Sequence, residues 1–317
     1  MEAFEVIQPG PLATIQDLGR YGYQQYGVPP SGAMDNYAFR IGNLLVGNEE
    51  GAASLEITLF GGRLRVIRDT TIAISGADLA PALNGSPIPM WETVLARCGD
   101  IISFPRLKNG CRAYLGVTGG FCVPRVMASS STYIKAKIGG FEGRALQAGD
   151  ILYTAERAPL TKMRRISPEF IPPYSSQIEL RVILGPQDNY FAEDGVRTFL
   201  QSEYTISVQA DRMGYRLEGP QIQHRAKADI ISDGIPLGAV QVPGDGLPII
   251  LLADRQTTGG YTKIATVISV DIPKLAQAKP GDKIAFRQVT EDEALIALQE
   301  YERKVKAVAH RLRGHKS

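Results

Sequence analysis

The apolar runs of this chain are short, several alternate with polar positions, and turn residues bound each of them. Leu64-Arg65-Val66-Ile67, Thr71-Ile72-Ala73-Ile74, Leu180-Arg181-Val182-Ile183-Leu184 and Ala265-Thr266-Val267-Ile268-Ser269-Val270 are rich in β-branched residues and read as strands. Three further segments repeat one pattern, a Gly-Asp pair followed by an apolar run: 97–104, 147–153 and 279–286. Glycine supplies the positive φ of a tight turn, aspartate can bond the backbone there, and a strand is expected to leave each turn. Only two helices are predicted. One spans roughly Met34 to Leu45, with Asp35 as its cap or in its first turn. The other runs from about Glu291 to the end. Its residues Leu298, Tyr301, Val305, Val308 and Leu312 share one face, acidic residues open it and basic residues close it.

Composition agrees with this pattern. The 33 glycines and 20 prolines break the chain into short pieces, and 317 residues suffice for two domains. With 44% hydrophobic and 21% charged residues the balance is globular. A net charge of +2 gives no case for nucleic acid or a membrane surface as partner. Cys98, Cys111 and Cys122 form neither a disulfide framework nor a zinc spacing, and reduced thiols are expected. The N-terminus does not read as a secretory signal, and the longest apolar stretch, around Leu247 to Ala253, is too short to span a bilayer. The expected location is the cytoplasm. Between Arg157 and Gln177 four prolines and the basic cluster Lys162, Arg164 and Arg165 suit a linker or crossover. The expected division is a β domain over 1–165, a second over 166–290, and a helix with its tail over 291–317. The basic end of that helix is either a solvated tail or a contact for an acidic surface.

Most catalytic signatures are missing. The sequence holds no P-loop, no GxGxxG unit, no GxSxG elbow and no biotin-attachment tripeptide. His224 is the one histidine in the body of the chain, so no metal site is expected. Three polar, glycine-rich segments remain: Gln16-Asp17-Leu18-Gly19-Arg20 with the stretch 27–35, then 211–220, then 254–261. Glycine lets backbone N–H groups approach a ligand. Arg20, Arg212, Arg216 and Arg255 suit carboxylate or phosphate. Asp17, Asp35 and Asp254 could act as bases or orient an amide, and Gln16, Gln241 and Gln256 match an amide on both edges. The ordinary alternative for each loop is an internal ion pair that steadies a turn.

These same segments carry a resemblance. QDLGRYGYQQYGVPPSGAMD and GNLLVGNEEGAASLE in the first half, and SVQADRMGYRLEGP and GAVQVPGDGLPIILLADRQTTGGYTKIATVISVD in the second, resemble the allophanate hydrolase subunit 2 family, also called the carboxyltransferase C/D family. The likeness covers nearly the whole chain except the C-terminal helix. It implies a mainly β fold of two tandem cyclophilin-like β-barrel domains, with few short helices and a C-terminal helix. Stand-alone members of this length resemble the C subunit of ATP-dependent 5-oxoprolinase, which converts 5-oxo-L-proline to L-glutamate. Subunits B and A would then be the partners, a higher oligomer could form, and ATP would be used by the complex with no cofactor bound by this chain. Other members point to a carboxyltransferase component acting on urea, or to an antagonist of a sporulation kinase inhibitor. On the oxoprolinase reading, Asp254, Gln256 and Arg212 are the candidate catalytic residues. The candidate substrate-binding residues are Gln16, Asp17, Arg20, Ser31, Asp35, Tyr215, Arg216, Gln241, Arg255, Thr257, Thr258 and Tyr261.

Overall fold

The three Gly-Asp turns are one device built three times. Gly99, Gly149 and Gly281 have φ of 92°, 90° and 90°. In each turn the aspartate N–H bonds the carbonyl three residues back (Asp100 to Arg97, Asp150 to Gln147, Asp282 to Lys279). With a positive-φ glycine third, this is a type II turn. The aspartate Oδ2 in turn accepts the N–H of Arg97, Gln147 or Lys279, at 2.8, 2.7 and 3.0 Å. Each turn also clasps one strand residue through paired backbone bonds: Val66, Val6 and Ile206 respectively.

The computed structural model describes residues 1–313, so His315 and the basic tail lie outside the described residues. The described chain divides into two compact units, one of 1–20, 31–174 and the residues from 302 to 313, the other of 21–30 and 175–301.

The first unit holds β1 (Glu2–Pro9), β2 (Leu12–Gln16), β3 (Ser54–Thr58), β4 (Gly62–Val66), β5 (Thr70–Asp78), β6 (Ala82–Leu83), β7 (Ser86–Pro87), β8 (Thr93–Ala96), β9 (Ile101–Ser103), β10 (Asn109–Val117) and β11 (Ile151–Tyr153). They form two sheets, in the orders β11-β1-β4-β9-β6-β7 and β2-β3-β10-β5-β8. Phe4, Val6, Leu64, Val66 and Ile102 of the first sheet share one apolar core with Ile15, Leu55, Ile57, Ile74 and Leu115 of the second. The other face of the second sheet carries Thr14, Ser54, Glu56, Ser75 and Tyr114, all buried. Helix α1 (Asn36–Leu45) lies against this polar face: Ser75 Oγ donates to the Ala38 carbonyl at 2.7 Å, and Ser54 Oγ to Asn43 Oδ1 at 3.1 Å. Asp35 caps the helix, its Oδ1 accepting the Ala38 N–H at 2.9 Å.

In the second unit β12 (Gln177–Leu184), β13 (Glu203–Ala210), β14 (Gly214–Glu218), β16 (Ala239–Gln241), β17 (Ile249–Leu251), β19 (Lys263–Val267) and β20 (Lys283–Gln288) close into a barrel, ordered β12-β19-β16-β17-β14-β13-β20. Alternation fills its interior: Ile178, Leu180 and Val182 of β12 and Ile284 and Phe286 of β20 are buried. Two strands, β15 (Asp229–Gly234) and β18 (Thr258–Tyr261), pair as a separate ribbon. The mainly β expectation holds.

The few short helices and the C-terminal helix that the resemblance implies are present, and two of the short ones were not visible in the hydrophobic pattern. Helix α2 (Glu193–Gln201) was hidden because, beyond Gly195, it buries only Phe199, which stacks on Phe286 at 4.3 Å. The short α3 (Ile272–Ala276) follows a strand that ends at Val267, not Val270: the chain turns at Ser269–Asp271, where Asp271 takes the Arg181 guanidinium. The C-terminal helix is α4 (Glu291–Arg313). Among the described residues no helix is long and apolar enough to cross a membrane, and no group of three or more His, Cys, Asp or Glu is placed to hold a metal.

Candidate functional site

In the first unit the loops 17–20 and 31–35 lie against each other. A Cβ at Gly32 would stand 3.0 Å from Gly19 N and Leu18 O, and Ala33 N–H donates to the Asp17 carbonyl at 2.9 Å. The Asp17 carboxylate is fully engaged. Its Oδ1 accepts from Gly19 N–H, Ser129 Oγ and Ser131 Oγ at 2.8, 2.7 and 2.5 Å, and its Oδ2 from Ser130 N–H at 2.6 Å. Arg20 is buried, with Nη2 donating to the Ser131 carbonyl at 2.5 Å. Sequence reasoning missed Ser129, Ser130 and Ser131; a hydroxyl run carries no periodicity, and only its pairing with Asp17 gives it a role.

Gln16 ends β2. Its Nε2 donates to Thr14 Oγ1 at 3.0 Å and to the Thr132 carbonyl at 3.3 Å, while its buried Oε1 has no hydrogen-bond partner. Ser31 Oγ is likewise buried without a partner, on a backbone with φ of 55°. An unsatisfied buried acceptor costs about 1–3 kcal/mol, which a ligand N–H would relieve. Beneath loop 31–35, Glu56 Oε2 accepts the Met34 N–H at 2.9 Å and the Tyr114 hydroxyl at 2.8 Å. Burial and the Glu56 carboxylate push the Tyr114 hydroxyl well above its usual range. Burial and Asp35 raise Tyr37 to about 12. Asp35 itself is committed, to the helix cap and to the Tyr174 hydroxyl at 3.1 Å.

In the second unit Arg212 and Asp254 form a buried fork, Nε to Oδ2 at 2.9 Å and Nη2 to Oδ1 at 3.0 Å. The Asp254 N–H returns to the Arg212 carbonyl at 2.8 Å. This is the internal ion pair that is the ordinary role of such loops: it joins the turn after β13 to the loop after β17. Arg255 is also buried, donating to the carbonyls of Ile235 at 2.9 Å and Leu252 at 3.1 Å, and burial lowers its pKa. Tyr215 is buried on β14, its hydroxyl on the Ala278 carbonyl at 3.2 Å. Arg216, next along that strand, is exposed.

Gln241 and Gln256 come together. They flank Gly259 of β18, where a Cβ would lie 3.0 Å from Gln241 Nε2 and 3.6 Å from Gln256 Nε2. Gln241 is buried, its Nε2 3.5 Å from the Tyr261 carbonyl, whereas Gln256 is exposed. Thr257, Thr258 and Tyr261 follow along the ribbon, with Thr258 opposite Gly234 and Tyr261 opposite Asp229. The sequence reading overlooked Lys263. It is the register partner of Gln241 across the β16–β19 pair and is 1% exposed. Its Nζ reaches Asp233 Oδ2 at 3.2 Å, from the end of β15. The Gly234 N–H, and then Lys263, hold the Asp233 carboxyl below the usual range. A lysine among β-branched residues gives no signal in sequence; only strand pairing brings it beside Gln241. His224 sits in the same unit with Nε2 3.2 Å from the Val242 carbonyl and 3.1 Å from Thr262 Oγ1, and burial lowers its pKa.

The second unit thus offers one exposed and one buried carboxamide beside a buried ammonium. Such a set can hold a flat, neutral amide by its edge and favour negative charge developing on its oxygen.

Comparison with known proteins agrees in family. Residues 26–288 match the family model described as carboxyltransferase domain, subdomain A and B. The chain is 40% identical over 294 residues to the C subunit of the 5-oxoprolinase of Haemophilus influenzae, covering 92% of each chain. It is 39% identical over 312 residues to the C subunit of the 5-oxoprolinase of Escherichia coli (strain K12), covering 97% of this chain and 98% of that one. Among solved structures, the K. lactis urea amidolyase matches with a TM-score of 0.92 and 32% identity over 96% of this chain, which corresponds to 20% of that protein.

Proposed function

The chain belongs to the family of the carboxyltransferase domain, subdomains A and B, and from that premise we propose that it serves as the C subunit of an ATP-dependent 5-oxoprolinase. The observation that carries this reading to a site is the pairing of Gln241 and Gln256 about Gly259, with Lys263 beside Gln241. A lactam is a cis amide, so its N–H and C=O point to the same side. A glutamine side chain presents the matching edge, an acceptor next to a donor. Gln256, being exposed, takes that edge, and Gln241 fixes the ribbon beneath it. Lys263 favours charge on the lactam oxygen, the atom that ATP phosphorylates so that water can open the ring. Arg212 and Asp254 act here as positioning residues that set the loop bearing Gln256. Exposed Arg216, on β14, supplies the fork that meets the substrate carboxylate.

The nucleotide site, on this reading, belongs to partner subunits B and A, and the reaction runs in the cytoplasm, where ATP is supplied. Identity favours the oxoprolinase over the carboxyltransferase reading, because the chain is 40% and 39% identical to the two oxoprolinase subunits and 32% identical to the urea amidolyase. Urea presents the same flat N–C=O edge, so the amide pair alone does not separate the two substrates.

Reconstitution separates them. Subunits A and B are assayed for glutamate release from 5-oxoproline and ATP, with and without this chain. Release that depends on the chain is expected. Release indifferent to it, or chain-dependent carboxylation of urea when a biotin carboxylase and its carrier are supplied, would overturn the assignment.

A further inference from the structure

Two basic clusters far apart in sequence meet in the first unit. The segment after β11 contributes Arg164 and Arg165, and the end of α4 contributes His310 and Arg311; together they line a groove of about 780 Å³. Its apolar lining is Ile166, Val308 and Leu312, each under 9% exposed, with Phe170 partly buried. The walls are firmly built. Thr93 N–H donates to the Arg164 carbonyl at 2.8 Å, and Ile166 N–H to the Trp91 carbonyl at 3.3 Å, so 164–166 runs along the edge of β8. On the other side Arg40 grips Glu302 of α4 through two bonds of 2.6 and 2.9 Å. Among the described residues no carboxylate lines the groove.

We infer that this groove docks an acidic segment of a partner protein, one in which carboxylates flank an apolar side chain. The argument is complementarity on two counts. A small inorganic anion would meet Arg164 and Arg165 and leave the apolar floor in water; an apolar side chain alone would leave those two guanidinium groups unmatched. A peptide with both satisfies both. The groove already displays the polar half of the interaction at its rim. Arg311 binds the Glu169 carboxylate at 2.9 Å while its guanidinium lies 4.8 Å from the centre of the Phe170 ring.

The test uses the full chain and a fluorescein-labelled decapeptide alternating glutamate with leucine or phenylalanine. Its lysine counterpart is the control. Fluorescence anisotropy should show saturable binding of the acidic peptide that weakens with salt, and hydrogen exchange should slow in 163–170 and 305–312. Arg165→Glu should weaken binding about tenfold or more. Arg164→Gln is a milder second variant in case the reversal disturbs folding, and should weaken binding in the same direction. Absence of saturable binding, equal binding of the lysine peptide, protection elsewhere, displacement by low concentrations of inorganic phosphate, or a second copy of the chain occupying the groove would each overturn the inference.

Discussion

Asp271 shows how one buried carboxylate ties secondary structure together. It is fully buried, and it accepts the Arg181 N–H and Nε at 2.9 Å each and Arg181 Nη2 at 2.8 Å, with Lys274 Nζ at 2.9 Å. Burial opposes its ionisation, but Arg181 and Lys274 together outweigh burial and hold its pKa below the usual carboxylate value. A depressed folded pKa contributes stability above the unfolded value of about 3.9, and that stability is lost as pH falls through the folded pKa. Asp271→Asn should therefore cost about 2–3 kcal/mol at neutral pH, and the difference from wild type should shrink below about pH 4. Urea denaturation across pH measures this; a deficit that is constant down to pH 3 would show that the charge is not the cause. The fork of Arg212 and Asp254 belongs to the same class. Arg212→Ala leaves Asp254 buried without its bidentate partner and should destabilise by about 3–5 kcal/mol. Gln256 is exposed, and Gln256→Ala should leave the melting temperature unchanged. Thermal denaturation of the two variants side by side separates a positioning role from a binding role.

Turns and close approaches decide the elements. A Cβ at Gly99, Gly149 or Gly281 would meet nothing within 4 Å, so the cost of alanine there is the cost of positive φ alone. Each substitution should lose about 1–2 kcal/mol, by nearly the same amount in all three. Gly116 differs: its backbone is not left-handed, but a Cβ would lie 2.9 Å from the Gly42 carbonyl of α1. Gly116→Ala should force the helix off the sheet and cost about 1–3 kcal/mol by overpacking. Denaturant midpoints of the four variants check the contrast, and a harmless Gly116→Ala would refute the tight seating of α1. The turns, the cap at Asp35 and most strands were legible because each depends on local residue chemistry. Helix α2 was not, since exposed charges surround its one large buried side chain, Phe199. Nor was Lys263, whose partners Asp233 and Gln241 lie 30 and 22 residues away and meet it only across paired strands. Of the residues proposed for the site, the polar character and the bounding glycines of the loops were legible in the sequence. It could not tell that Asp17, Asp35, Tyr215 and Asp254 are each taken up by the protein's own donors and acceptors.

At the scale of the whole molecule, each unit places a polar group at the end of β structure with its own chemistry. The first has buried, unsatisfied oxygens at Gln16 and Ser31; the second has the carboxamide pair and the ammonium of Lys263. On the proposed function the substrate is a flat N–C=O group, and the second unit holds side chains suited to it. The deciding measurement is kcat/KM for 5-oxoproline in the complex reconstituted with subunits A and B, using Gln256→Ala in this chain. Loss of two hydrogen bonds to a neutral amide predicts a fall of about 10- to 100-fold with ATP affinity and melting temperature unaltered. Wild-type kcat/KM in that variant would contradict the account.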